Sequence, residues 1–128
     1  MLCSDILTAA LKLLGEDGDA EENEDYAERA PYIIASFVSE TSEADSMYRL
    51  AHGKAALQLS ERVYLPLNES FPLSGRFSSL AAFYLASMLI ADESPELSDK
   101  LYDKYCDGVS AILSSLPSTL HGIGQEYN

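Results

Sequence analysis

The chain is short of basic residues, histidine and cysteine, and it has no tryptophan. Each shortage removes a class of function. Eight Lys plus Arg stand against 21 Asp plus Glu, a formal charge of -13 at neutral pH. Such a chain repels phosphate backbones rather than collecting them, so specific nucleic-acid binding is not expected. His52 and His121 are the two histidines, and neither belongs to a His-Glu-x-x-His helix or has a cysteine at ligand distance. Cys3 and Cys106 form neither a Cys-x-x-Cys pair nor a metal-ligand spacing, and they read as reduced thiols of a cytosolic protein. No metal or cofactor is therefore expected.

Other absences narrow the field further. There is no Gly-x-Ser-x-Gly elbow, no Gly-x-Gly-x-x-Gly turn and no phosphate loop, and no acid, base and nucleophile fall into a recognisable constellation, so no enzymatic activity is expected. The longest apolar run, Leu80 to Ala91, is well short of the roughly 18 residues a membrane span requires. Met1 to Asp5 lacks the basic region that opens a secretory signal. The expectation is a protein that is neither exported nor embedded in a membrane, which makes the Asn68-Glu69-Ser70 glycosylation pattern a chance match.

What is present is an ordinary globular composition: 47% hydrophobic and 23% charged over 128 residues, enough for one domain with its own core. Ser4 reads as the cap of a first helix whose stripe is Ile6, Ala10, Leu13 and Leu14, broadened by Leu7 and Leu11 and stopped at Gly15. Seven acids fall between Glu16 and Asp25, a solvated loop. A second helix is expected from about Glu24 to Glu40 on Tyr26, Ala30, Ile33, Ile34, Phe37 and Val38, kinked or split at Pro31, with a separate helical stretch from Ser42 to Ala51 that stops at Gly53.

From Lys54 to Ser74 the helical period fails. Leu57 and Leu59, then Val63, Leu65 and Leu67, alternate as strands do, with Ser60-Glu61-Arg62 as a possible hairpin turn and Pro66 and Pro72 keeping the rest extended. This arm, about residues 54 to 73, is either irregular or a short β-hairpin. A third helix opens at Ser74 or Gly75 and is apolar nearly all round, through Phe77, Leu80, Tyr84, Leu85, Met88 and Leu89. So broad a face in so small a chain suggests cover from another subunit. The sharpest boundary is Ser94-Pro95-Glu96-Leu97, an N-cap, a proline at the first helical position and an acid in the first turn. The fourth helix carries Leu97, Leu101, Tyr105, Val109, Ile112 and Leu116, with Gly108 a weak point and Pro117 a stop. The fold class is thus mainly α: a bundle of four to five helices spanning residues 1 to 117, then a flexible tail from 118 to 128.

One motif comes close to a metal site. Asp17, Asp19, Glu21, Asn23, Asp25 and Glu28 occupy the alternating positions of a twelve-residue calcium loop, but Glu22 stands where the sharp turn needs glycine and Glu24 where an apolar residue belongs. The run reads as solvated acid.

The Ala10-Leu11-Lys12-Leu13-Leu14-Gly15 start and the stretch Leu80 to Tyr105, an Ala-rich aromatic helix followed by a capped one ending in Lys104-Tyr105, resemble the small head-tail connector, or adaptor, proteins of tailed bacteriophages and prophages. The likeness covers roughly residues 4 to 116. It implies a helical subunit that assembles into a homo-oligomeric ring beneath the portal, receives tail or neck proteins, and passes from the host cytoplasm to the virion neck. Under that resemblance Val63, Tyr64, Leu65, Leu67 and Phe71 are the expected contacts with other subunits or the portal, and Asp17, Asp19, Glu21 and Glu22 the acidic channel or rim. The competing reading of the arm is that it folds over its own core. The competing function is an acidic protein-binding module or regulator, for example a DNA mimic.

Overall fold

The computed structural model describes residues 1–15 and 23–117. Within them lie α1 (Cys3–Leu13), α2 (Glu24–Ala51), a 3-10 turn (Gly75–Phe77), α3 (Ser78–Ile90) and α4 (Pro95–Ser114). The protein is mainly α. The acidic residues Asp17, Asp19, Glu21 and Glu22, and with them the first half of the calcium-like pattern, and the tail 118–128 lie outside the described residues.

The third helix of the sequence is the centre of the fold. It packs on α1, α2 and α4, which bury Leu80, Ala81, Tyr84, Leu85, Ala86, Leu89 and Ile90 and leave Phe83 and Met88 partly covered. Most of its apolar circumference is therefore covered by this chain's own helices. Small side chains let α3 and α4 approach closely. The Ser87 hydroxyl donates to the Ser98 carbonyl at 2.9 Å and the Ser98 hydroxyl returns a bond to the Ser87 carbonyl at 2.8 Å, both buried. Farther along, a Cβ on Gly108 would overlap Cδ2 of Leu80. That glycine is a packing requirement of the seam rather than only a weak point of helix propensity.

Pro31 does not split α2, and no separate helix begins at Ser42; one helix of 28 residues runs through both positions. The missing amide costs a single hydrogen bond, to Ala27. Burial of the proline ring between flanking residues Ala30, Ile34 and Ala35, themselves in the core, holds the segment in register. Beyond Glu40 no residue breaks the helix. Thr41, 1% exposed, hides its hydroxyl on the Phe37 carbonyl at 2.7 Å, and Phe37 is itself the hub of an aromatic cluster with Phe71, Tyr84 and Tyr105.

α1 begins at Cys3 rather than after a Ser4 cap. A helix N-terminus leaves amides without partners, and here the arm supplies them: Cys3 N–H donates to the Glu69 carbonyl at 2.9 Å and Ser4 N–H to the Leu67 carbonyl at 2.8 Å. The Asp5 carboxylate accepts from the Leu2 amide at 2.8 Å. The buried face is Cys3, Ile6, Leu7, Ala10 and Leu11, so the stripe is turned toward Leu7 and Leu11, and Leu13 is exposed. Gly15 closes α1 and Gly53 follows α2, each at positive φ, as their positions suggested.

No β-hairpin forms in the arm; among the described residues strand-like pairing is limited to one isolated antiparallel bridge between Leu2 and Ser70. The physical reason lies in its prolines. Pro66 and Pro72 remove the amides a ladder needs, and a turn from Pro66 to Glu69, closed by a 3.0 Å bond, redirects the chain along the N-terminus instead. Its far end is fastened by Asp45 on α2. This carboxylate, 1% exposed, accepts from Arg49 Nε at 2.7 Å and from the Ser74 amide at 2.8 Å, while Arg49 Nη2 reaches the Pro72 carbonyl at 3.4 Å.

Candidate functional site

At the crossing of the arm over the first half of α2, three large side chains remain outside the core. It is built by one backbone bond: the Leu65 amide donates to the Pro31 carbonyl at 3.1 Å. That bond directs Leu65 into the core, at 3% exposure, and the preceding residues outward, Tyr64 at 43% and Val63 at 81%. From α2, Tyr32 projects to meet them at 57% exposure, and the Tyr32 and Tyr64 rings meet edge to face with centroids 5.0 Å apart and planes at 71°. Such a pair gains about 0.5–1.5 kcal/mol beyond its buried area, which orders two exposed rings at the surface.

Tyr32 stands between two clefts. One, of about 650 Å³, is lined by Glu24, Ala27, Glu28, Arg29, Tyr32 and Tyr64. The other, of about 430 Å³, is lined by Arg29, Tyr32, Ile33, Ser36, Tyr84 and Met88. The Arg29 guanidinium separates them and is already engaged: Nη2 donates to the Met88 carbonyl at 3.2 Å, and Nη1 to Asp25 at 3.4 Å and to the Leu89 carbonyl at 3.5 Å. A cation on the last carbonyls of α3 is well placed against its dipole.

Behind this face a tyrosine cluster links α2, α3 and α4. The Tyr84 hydroxyl donates to Glu40 Oε2 at 2.8 Å and lies 3.0 Å from Ser36 Oγ. Burial pushes its pKa up to about 12, with the Glu40 carboxylate contributing. Tyr105 is pushed up likewise, by burial first and then by the same carboxylate. Both phenols stay neutral at ordinary pH and act as anchors, with Tyr84 and Tyr105 ring centroids 5.0 Å apart.

The five arm residues singled out in the sequence separate cleanly. Val63 and Tyr64 are exposed, Leu67 is half-buried, and Leu65 and Phe71 belong to the core. The arm thus folds over its own core with one half and presents the other. Sequence reasoning missed three features. Tyr32 follows Pro31 and falls outside the apolar stripe, an off-stripe aromatic that the sequence did not connect with the arm. Asp45 and Arg49 stand four apart, which reads as an ordinary surface pair. Ser87 and Ser98 carry no sequence signal for a buried pair.

Cys3 and Cys106 are free thiols, the first buried and the second exposed. Among the described residues no three His, Cys, Asp or Glu side chains gather to hold a metal ion, and no helix is long and apolar enough to cross a membrane. No protein-family model, curated protein or solved structure matches the chain.

Proposed function

We propose that this chain is a non-catalytic structural subunit of a tailed phage or prophage particle, a head-tail connector that docks on the portal ring and links capsid to tail. The observation that carries the reading is the aromatic pair Tyr32–Tyr64, with Val63 beside it, standing outside the core. Aromatic residues held rigidly at a surface are the usual anchors of protein interfaces, because they lose little freedom on binding. The resemblance in residues 10 to 15 and 80 to 105 supplies the identity of the assembly. In a ring of such subunits the acids Asp17, Asp19, Glu21 and Glu22 face the channel or its rim, over which DNA passes without adhering. The virion neck is then the final location, reached from the host cytoplasm.

The test is sedimentation of the purified chain with the portal ring encoded in the same genome. The chain should shift to the portal's sedimentation coefficient in a fixed stoichiometry. Sedimentation as a free species at micromolar portal would overturn the proposal.

A further inference from the structure

We infer that residues 55 to 62 form a strap that opens locally while the rest of the chain stays folded, and that the Arg62–Glu69 ion pair is its latch. The inference goes beyond the docking reading and holds with or without a partner.

The arm changes character at Leu65. After it, Leu65, Phe71 and Leu73 are buried, the Leu67 and Glu69 carbonyls accept from the first amides of α1, and the Ser74 amide donates to Asp45. Before it, backbone bonds hold the chain only at its ends. The Lys54 amide donates to the Arg49 carbonyl at 2.8 Å, just past Gly53 with its positive φ, and the Leu65 amide donates to the Pro31 carbonyl at 3.1 Å. Between these two bonds, among the described residues, residues 55 to 64 make no backbone–backbone hydrogen bond, and none of residues 55 to 62 is buried. Leu59 is 40% exposed, and a cleft of about 210 Å³ lies between the strap and Ala35, Val38 and Ser39 of α2. The side-chain tether of the stretch is the Arg62 guanidinium, which donates to the Glu69 carboxylate.

Both partners of that pair are partly solvated. An ion pair of this kind offsets the ordering entropy of about one residue at most, and the strap is much longer than that. An unpaired backbone with few buried contacts marks a segment that opens at low cost in free energy. Opening pivots on Lys54 and Leu65, which stay bound, and widens the cleft over Val38 while the bundle keeps its packing.

Trypsin must take the Arg62 guanidinium into its own acidic pocket to cut the Arg62–Val63 bond, so that cut reports the latch directly. The full chain is digested at a low ratio of trypsin beside a synthetic peptide of residues 57–68, which lacks Glu69, and the first products are identified by mass spectrometry. The first cuts should fall after Arg62 or Lys54 and not within a helix. Glu69→Gln, which keeps the carbonyl that caps α1, should raise the initial rate at Arg62 about two- to five-fold and leave the melting curve unchanged. Salt at about 1 M, which screens the pair, should raise the rate of the unaltered chain relative to the peptide and leave that ratio unchanged for the variant. Hydrogen exchange on the unaltered chain is the second measurement: the amides of residues 55 to 62 should exchange within about ten-fold of unstructured rates, and those of Cys3, Ser4 and Leu65 far more slowly. The salt and exchange measurements need no substitution. First cuts within a helix, protection of residues 55 to 62 equal to that of Leu65, or a rate at Arg62 indifferent to both salt and Glu69→Gln would overturn the inference. Sedimentation with the portal bears on the connector reading alone.

Discussion

The seam between α3 and α4 and the crossing of the arm over α2 are held by opposite means. At the seam, Ser87, Ser98 and Gly108 are small, so the helices close on each other, and Tyr102 stands at its exposed edge. At the crossing, backbone bonds and one buried carboxylate hold the arm while the largest side chains, Tyr32 and Tyr64, stand in solvent. Stability is invested in the first region and in the anchors of the second, and recognition in the part of the second that no core contact requires. Substitutions should therefore separate the two.

The largest effect is expected at the arm's anchor. Asp45→Ala leaves Arg49 and the Ser74 amide without their partner, and breaking a buried ion pair from one side costs roughly 3 kcal/mol; urea unfolding should give a midpoint shift of that order. A loss below 1 kcal/mol would mean that the anchor contributes little. At the seam, Gly108→Val forces a branched side chain into Leu80, and overpacking of this kind costs about 1–3 kcal/mol despite the gain in helix propensity. Thermal unfolding of Gly108→Val beside an exposed control, Ser110→Val, would measure it. Ser87→Ala removes one half of the reciprocal pair and should cost about 1–2 kcal/mol, because the Ser98 carbonyl stays buried with a donor lost.

The aromatic cluster adds a pH dependence with a definite sign. A tyrosine whose pKa rises from about 10 unfolded to about 12 folded binds its proton more tightly in the native state. Its contribution is complete below pH 10 and declines as pH climbs through the window from about 10 to 12. Alkaline titration followed by circular dichroism should show stability falling through this window, with Tyr84→Phe flattening the decline there. Tyr32→Ala, at a ring 57% exposed, should change stability least, by about 0.5–1.5 kcal/mol, the contribution of the lost ring pair.

The same contrast explains what could be read from the sequence. The helical elements were legible because their apolar residues follow the helical period, and the Ser94-Pro95 start of α4 because proline and an acid there satisfy local rules. The continuity of α2 through Pro31 was not, since the compensation comes from tertiary packing around Ala30 and Ile34. The hairpin expectation failed for a related reason. Alternation at Val63, Leu65 and Leu67 marks extended chain, but whether an extended chain pairs with itself or with the amides of α1 depends on residues some 60 positions away. The candidate site was half legible: Val63 and Tyr64 were marked by the arm, whereas Tyr32 became visible only when the Leu65–Pro31 bond placed the two tyrosines together.

The central claim is that the Tyr32–Tyr64 face serves recognition and not folding. It is tested most directly by sedimenting the Tyr32→Ala, Tyr64→Ala double variant with the portal ring beside the unaltered chain, each with its melting curve. The account predicts that the double variant keeps the melting temperature within about 4 °C, the shift that a loss on the order of 1 kcal/mol produces, and no longer sediments with the ring. A double variant that still travels with the ring, or one that fails to fold, would contradict it.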